Sequence, residues 1–162
     1  LAILGVIIFV SWNFTRKISD ELNEMIIGGM VFQTSGVSCA AATGANIARF
    51  HGLKPTEREV AVEMQTTVSG TSTAQIVDGM SAFGFDCEPR LIESLSDPTL
   101  ELPSFLFVDH ISSGPESHAV ALMERSEGKF EIWDPIEGKL QLSDGEVEKI
   151  WHGQVVQCRV TP

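Results

Sequence analysis

Residues 117–135 read SHAVALMERSEGKFEIWDP, and their pattern predicts a β-hairpin. Two apolar runs lie on either side of a charged segment that contains Gly128, a pattern that predicts two antiparallel strands joined as a β-hairpin. A turn centred on Ser126 places apolar residues opposite each other and so sets the register of the hairpin. The predicted pairs are Leu122 with Phe130 and Val120 with Ile132.

His118 lies at the start of the first predicted strand, and Asp134 lies at the end of the second. The same register places them opposite each other, so they share a face and lie about 5 Å apart at Cβ. A slip of one residue would put the imidazole and the carboxylate on opposite faces. A carboxylate beside a histidine fixes the tautomer and the orientation that a general base needs. A solvated pair at the rim of the sheet is the alternative interpretation.

The rest of the chain divides into a helical half and a strand-rich half. Cap residues, apolar faces and closing glycines predict helices first, and short apolar runs predict strands afterwards. This order indicates an α+β domain with N-terminal helices packed on a C-terminal antiparallel sheet. The predicted helices cover residues 38–52, 57–64, 73–83 and 144–151, and the additional strands cover residues 104–110, 139–143 and 153–160.

Composition limits the functional classes. The chain has 162 residues, 43% of them hydrophobic and 20% charged, which suits one globular domain with a terminal appendage. The net charge of −11 disfavours nucleic acid as a partner, because phosphate binding needs clustered Lys and Arg. We therefore expect no nucleic-acid partner.

The three cysteines are Cys39, Cys87 and Cys158. Their wide spacing disfavours a zinc site or a redox motif, so neither a metal nor a cofactor is predicted. A disulfide between Cys87 and Cys158 stays open. Cys39 begins a predicted helix, whose first turn would stabilise a thiolate, and small residues follow it. Cys39 is therefore the candidate nucleophile, with a buried structural cysteine as the alternative.

Three other histidines compete with His118 for the role of base. His110 is the main competitor, because Asp109 adjoins it, but neighbouring residues on a strand point to opposite faces. His51 and His152 have no comparable acidic partner in the sequence, and we predict that they lie on the surface.

Gln33 lies six positions before Cys39 in the segment QTSGVSCAAAT. Acyl transfer develops a negatively charged oxygen, which two hydrogen-bond donors must stabilise. The side-chain amide of Gln33 and the backbone N–H of Cys39 are the candidate donors. A solvated loop residue is the alternative interpretation of Gln33.

These residues together resemble those of papain-like cysteine peptidases. More narrowly, the chain resembles the bacteriocin-processing peptidases of ABC exporters, the peptidase C39-like family, which cut double-glycine leaders. The resemblance covers most of residues 30–162 and implies a papain-like fold there. The matching residues are Gln33, Cys39, the GTST segment from Gly70, Pro103, His118 and Asp134-Pro135.

The resemblance also implies a mechanism and partners. The family hydrolyses peptide bonds through a thioester without a cofactor, after a small residue such as Gly, in leader peptides that an exporter carries. The Asp-Cys-Gly usual in the family is Ser38-Cys39-Ala40 here, and we predict that Ala40 and Ser117 bind the substrate. The roles carried over are Cys39 as nucleophile, His118 as base, Asp134 as its orienting group and Gln33 as oxyanion donor.

Two other functions stay open. The first is a catalytically silent domain of the same fold that binds leader-like peptides, and the second is a membrane-anchored structural adaptor in which these residues are coincidental.

Residues 1–12 are uncharged and almost wholly apolar, which predicts a truncated transmembrane helix, since a full span needs about 20 residues. A signal-peptide core or a buried first helix are the alternatives. We therefore expect the protein to be membrane-associated, and Arg16 and Lys17 favour the cytoplasmic side for the domain.

Residues 13–29 are predicted to form an amphipathic helical linker that ends in Gly28-Gly29. The segment also resembles the double-glycine leaders that the family cuts. We hypothesise cleavage after Gly29 by the protein itself or a sister molecule, or retention as a pseudo-substrate. A linker with a glycine hinge is the alternative. The apolar residues that recur every four positions are Phe14, Ile18, Leu22 and Ile26.

Overall fold

The computed structural model describes residues 15–110 and 114–161, which form an antiparallel sheet of six strands with the three longer helices packed on one face. The helices are α1 (Cys39–Phe50), α2 (Glu57–Glu63), α3 (Thr73–Ser81) and the short α4 (Asp144–Val147). The sheet strands are β3 (Phe85–Leu91), β4 (Ser104–His110), β5 (Gly114–Ser126), β6 (Lys129–Asp134), β7 (Gly138–Ser143) and β8 (Trp151–Val160). Their order in the sheet is β3-β8-β4-β5-β6-β7, which confirms the predicted α+β architecture.

Capping boxes define the starts of α2 and α3. Thr56 accepts a hydrogen bond from the Glu59 N–H, and the Glu59 carboxylate accepts one from the Thr56 N–H. Ser72 and Gln75 form the same reciprocal pair at α3. These bonds satisfy backbone donors that the first helical turn would otherwise leave unpaired.

Helix α1 is almost wholly buried and lies against β5. Its small residues let the helix backbone approach the sheet closely, and the Thr43 hydroxyl donates to the Ala119 carbonyl at 2.9 Å. The side chains of Ala119 and Ala121 belong to the core beneath the helices. Val120 and Leu122 belong to a second core on the other face of the sheet. The sheet is thus apolar on both faces, and β5 contributes to each core in alternation.

The predicted register of the β5–β6 hairpin is wrong by two residues. The turn lies at Glu127 and Gly128, both with positive φ (49° and 75°), and a bulge follows on β5. Between the turn and the bulge the register differs from the predicted one by three residues, and the bulge, for which the sequence had no signal, reduces the difference to two. Because two is an even number, the side chains beyond the bulge keep their predicted face. The observed pairs include Leu122 with Ile132, Ala121 with Trp133 and Ser126 with Lys129.

Strand β3 is not predicted by the sequence patterns. It contains Pro89, which argues against a central strand but suits the edge position that β3 occupies. β3 pairs with β8, and Cys87 lies opposite Cys158. The two form a disulfide, which the sequence had left open.

The predicted helix over residues 13–29 is wrong for the part that the structure describes. From Ser19 to Glu21 the chain forms a short 3-10 helix, and further on it forms the hairpin of β1 (Ile26–Ile27) and β2 (Met30–Val31). Gly28 and Gly29 form the turn with positive φ (58° and 83°), as a two-residue hairpin turn requires. Ile18 and Leu22, 2% and 6% exposed, are apolar because they pack into the core and not because they share a helical face.

Residues 16–18 run beside the loop that follows α2. The Ile18 N–H donates to the Thr66 carbonyl at 3.2 Å, and the Val68 N–H donates to the Arg16 carbonyl at 2.9 Å. These bonds make residues 16–22 an integral part of the domain, although the predicted domain began at residue 30. We call this segment, residues 16–22, the N-terminal strap.

The predicted membrane segment, residues 1–12, lies outside the described residues. Among the helices that are described, none has the length and hydropathy to cross a membrane.

Gly79 of α3 offers a test of the helix packing. A Cβ atom at Gly79 would lie 2.5–2.7 Å from Met64, including its backbone N and Cα, which cannot move away as a side-chain end can. We expect Gly79→Ala to lower the free energy of unfolding by about 1–3 kcal/mol, as overpacking does, measured by urea denaturation.

Gly44→Ala is the matched control. The three atoms nearest to a Cβ at Gly44 belong to the side chains of Met64, Met80 and Val60, at 2.8–3.1 Å. Both glycines lie in helices, so the gain of about 1 kcal/mol in helix propensity is common to the two variants. Because side-chain ends can shift where backbone atoms cannot, Gly44→Ala should cost less than Gly79→Ala. Equal destabilisation by the two variants would contradict the packing described here.

Candidate active site

Cys39 is the first residue of α1 and the only cysteine outside the disulfide. Its side chain is partly exposed, whereas Ala40 and Ala41 behind it are buried. Burial raises the pKa of the Cys39 thiol, but the hydrogen bond and the charge of His118, with the N–H groups of Ala119 and Ala40, lower the pKa below its ordinary value of 9.0. Cys39 is therefore placed to act as a thiolate.

His118 and Asp134 meet at the end of the β5–β6 hairpin. His118 Nε2 lies 2.9 Å from Asp134 Oδ1, and both side chains are buried. The same carboxylate oxygen accepts the N–H groups of Ile136 at 2.7 Å and Glu137 at 3.2 Å, which fix its position. Because Nε2 faces Asp134, Nδ1 is the nitrogen left for Cys39.

The three groups favour each other's charged forms. Burial lowers the pKa of His118, but the hydrogen bonds and charges of Asp134 and Cys39 raise it to about 9. Burial raises the pKa of Asp134, but the His118 hydrogen bond, the Ile136 N–H and the His118 charge hold it below its ordinary value. The contacts among the three groups therefore favour a thiolate, an imidazolium and a carboxylate over their neutral forms.

Gln33 begins the loop that leads to Cys39. Its backbone N–H donates to the Pro135 carbonyl at 2.9 Å, so the loop is joined to the residue after Asp134. The Gln33 side chain donates from Nε2 to the Ser35 carbonyl at 2.9 Å, which uses one of two amide protons. Its Oε1 is buried and has no hydrogen-bond partner within the described part of the chain. That the second proton stabilises an oxyanion stays a prediction.

Ser38, which replaces the Asp usual in the family, is fully buried and stabilises the turn before Cys39. Its hydroxyl donates to the Ser35 carbonyl at 2.9 Å and accepts from the Ser35 N–H at 3.2 Å.

A pocket of about 350 Å³ opens beside Cys39. Ala40 and Ser117, the predicted substrate-binding residues, both line it. Phe107 adds an apolar wall that the sequence did not signal as part of the site. The other walls are formed by Gly36, Val37, Ala119 and the loop Ser69, Gly70, Thr71.

His51 and His152 are both exposed, which confirms the prediction that they lie on the surface. His152 Nε2 lies 3.0–3.1 Å from both carboxylate oxygens of Asp109, so the prediction that it lacks an acidic partner is wrong. The sequence missed this pair because the two residues lie 43 positions apart on β4 and β8. The His110 ring lies 5.1 Å from that of His118, and the His51 ring contacts Phe85.

The predicted cleavage segment, Gly28 and Gly29, lies at the exposed tip of the β1–β2 hairpin. Val31 behind it is held by Asn46 of α1, whose amide bonds both the N–H and the carbonyl of Val31 at 2.8 and 2.9 Å. Cleavage after Gly29 would require this hairpin to open.

Within the described residues, no group of three or more His, Cys, Asp or Glu side chains is arranged to hold a metal ion.

Comparisons with known proteins agree with this geometry. A double-glycine-motif protease from an AMS/PCAT transporter, solved with a leader peptide, matches with a TM-score of 0.72 at 16% identity, over 86% of this chain and 93% of that one. The peptidase domain of Streptococcus ComA, a bifunctional ABC transporter, matches with a TM-score of 0.70 at 16% identity, over 85% and 98% of the two chains. The N-terminal peptidase C39-like domain of a toxin secretion ATP-binding protein from Vibrio parahaemolyticus matches with a TM-score of 0.63 at 9% identity, over 76% and 97%. These likenesses show the fold.

The comparison with curated protein sequences found no match. The model of the peptidase C39 family, in contrast, matches residues 29–162, which include every residue of the candidate site. With a cysteine at a helix start beside a buried His–Asp pair, the chain belongs to the peptidase C39 family of cysteine peptidases.

Proposed function

We propose that the domain hydrolyses a peptide bond after a small residue such as Gly, in a leader-like peptide. The observation that carries this proposal is the sequence of contacts from Cys39 through His118 to Asp134, beside an open pocket. A structural cysteine would need neither a lowered pKa nor a partly exposed position next to a histidine that a carboxylate orients.

The reaction follows from the charges of the three groups. The Cys39 thiolate attacks the carbonyl carbon, and the oxyanion that forms is stabilised by the N–H of Cys39 and by Gln33. The C–N bond then breaks as the His118 imidazolium donates its proton to the leaving amine, which leaves a thioester on Cys39. Water, deprotonated by His118, attacks the thioester and restores the thiolate–imidazolium pair.

The pocket places small and polar residues around the nucleophile: Ala40, Val37 and Ser117 line it, with the loop from Ser69 to Thr71. The preference for a small residue before the cut is carried over from the family. One protein of similar fold was solved with a leader peptide, and that precedent supports a leader as the substrate class here.

We further propose that residues 1–12 associate the protein with a membrane and that an exporter delivers the substrate, as in the family. The Cys87–Cys158 disulfide favours an oxidising compartment for the domain, against the cytoplasmic side that Arg16 and Lys17 favoured, because cytosolic thiols are kept reduced.

Peptide cleavage and thiol alkylation together test the proposed function. We expect wild-type protein to cleave Gly-containing leader-like peptides, and Cys39 to react with iodoacetamide well below pH 8.5. His118→Ala should lower kcat/KM by about 10³-fold and remove the alkylation at low pH. Cys39→Ala is the control for both assays. If wild-type Cys39 titrates as an ordinary thiol and no peptide is cut, the domain is a silent peptide-binding relative instead.

Asp134→Asn should change the pH dependence rather than the geometry. The asparagine keeps an oxygen that can accept from His118 but carries no charge, so the pKa of His118 should fall from about 9 toward its ordinary 6.5. Because the reaction needs the imidazolium, the alkaline limb of the kcat/KM profile should move to lower pH. At pH 8 the rate should fall about 10-fold or more. An alkaline limb that stays near pH 9 would show that Asp134 does not set the charge of His118.

Counting free thiols in protein taken directly from cells tests the compartment. After acid quenching and unfolding, we expect a polymer-linked maleimide to label one cysteine per chain without reductant, and all three cysteines after reduction. Three labels before reduction would place the domain where thiols stay reduced.

A further inference from the structure

Glu57 is an unusual residue for a small domain, because its carboxylate is fully buried yet belongs to none of the ion pairs between described residues. Glutamate is rarely buried without a cation, since removing its charge from water costs several kcal/mol unless hydrogen bonds replace the lost hydration. The hydrogen-bond partners of the Glu57 carboxylate therefore indicate which part of the structure it stabilises.

Within residues 15–110 and 114–161, one residue, Thr34, donates all the hydrogen bonds that the Glu57 carboxylate accepts. The Thr34 N–H lies 2.9 and 3.1 Å from the two carboxylate oxygens, and the Thr34 hydroxyl donates to Oε2 at 2.6 Å. The same hydroxyl accepts from the Asn23 N–H at 3.1 Å. Bonds to a charged acceptor are about twice as strong as those between neutral groups, so Thr34 is firmly held.

Thr34 directly follows Gln33, whose side chain is the oxyanion donor of the proposed mechanism. The loop from Gln33 to Cys39 is fixed at its other points by neutral bonds: Gln33 to Pro135, and Ser38 to Ser35. Among the described residues, Glu57 is the only acidic side chain that accepts hydrogen bonds from this loop. An amide that must lie within a few tenths of an ångström of a developing charge depends on such support.

We propose that Glu57 is a positioning residue for the oxyanion donor: its buried carboxylate holds the backbone of Thr34 and so fixes Gln33 for the tetrahedral intermediate. The inference rests on the proposed peptidase function. None of these bonds joins Glu57 to Cys39 or His118. We therefore expect Glu57 to affect the stability of the tetrahedral intermediate and not the reactivity of the Cys39 thiolate.

The test compares Glu57→Gln with Glu63→Gln, which removes the same charge from an exposed position on the same helix. We expect Glu57→Gln to lower kcat for peptide cleavage by about 10- to 100-fold with little change in KM, since the donor is displaced and not deleted. Binding of a peptide aldehyde, which forms a tetrahedral adduct on Cys39, should weaken by a similar factor. Alkylation by iodoacetamide, which needs no oxyanion donor, should stay within about twofold of wild type.

Two results would overturn the proposal. One is a kcat for Glu57→Gln that equals that of Glu63→Gln. The other is a loss of alkylation in proportion to the loss of cleavage, which would indicate general loosening of the site.

Hydrogen exchange separates this inference from the function on which it rests. The Thr34 amide should be protected in wild type and in Glu63→Gln, and exchange at least 10-fold faster in Glu57→Gln, as expected when a buried charged acceptor is removed. Unchanged exchange at Thr34 overturns the role of Glu57 even if the wild type is an active peptidase. If the Thr34 amide exchanges faster in Glu57→Gln but the wild-type protein cleaves no peptide, the proposed function is wrong. Glu57 is then a structural anchor, and the positioning role is refuted as well.

Discussion

The buried contact between His118 and Asp134 is the interaction on which the site depends. In a poorly solvated position neither an imidazolium nor a thiolate would persist alone, because burial favours the neutral forms of both. The carboxylate reverses this preference for His118, and the charge of His118 reverses it for Cys39. The two hydrogen bonds that Ile136 and Glu137 donate to Asp134 show why the strand must end in a turn there: backbone N–H groups, and not a further cation, hold the carboxylate in place.

The sequence predicted that His118 and Asp134 lie together, although it did not predict the exact strand pairing. His118 and Asp134 were placed on one face by a hairpin register that was wrong by two residues, because face depends only on whether the error is even or odd. The same reasoning failed for residues 13–29, where Ile18 and Leu22 have helical spacing but are buried by tertiary contacts in a non-helical segment. The pairing of Glu57 with Thr34 carried no signal at all, since it joins residues 23 positions apart that share no periodic pattern.

The N-terminal strap gives this domain a feature beyond the family model, which begins at residue 29. Through Ile18 and Arg16 the strap bonds to Thr66 and Val68, and the next residues of that loop, Ser69 to Thr71, line the pocket beside Cys39. One wall of the pocket therefore rests on the N-terminal strap, which lies outside the residues matched by the family model.

The disulfide has a consequence for how the chain stays connected. It joins Cys87 to Cys158, so the covalent ring that it closes contains His118 and Asp134 but neither Cys39 nor Gln33. A single break in the backbone between residues 88 and 157 would leave all parts of the chain covalently joined. A break between residues 51 and 86 would leave Cys39 on a fragment that only non-covalent packing holds to the rest. His118 thus lies in a part of the chain that stays covalently connected after one backbone cleavage, because the disulfide closes a ring around it. Cys39 lies outside that ring.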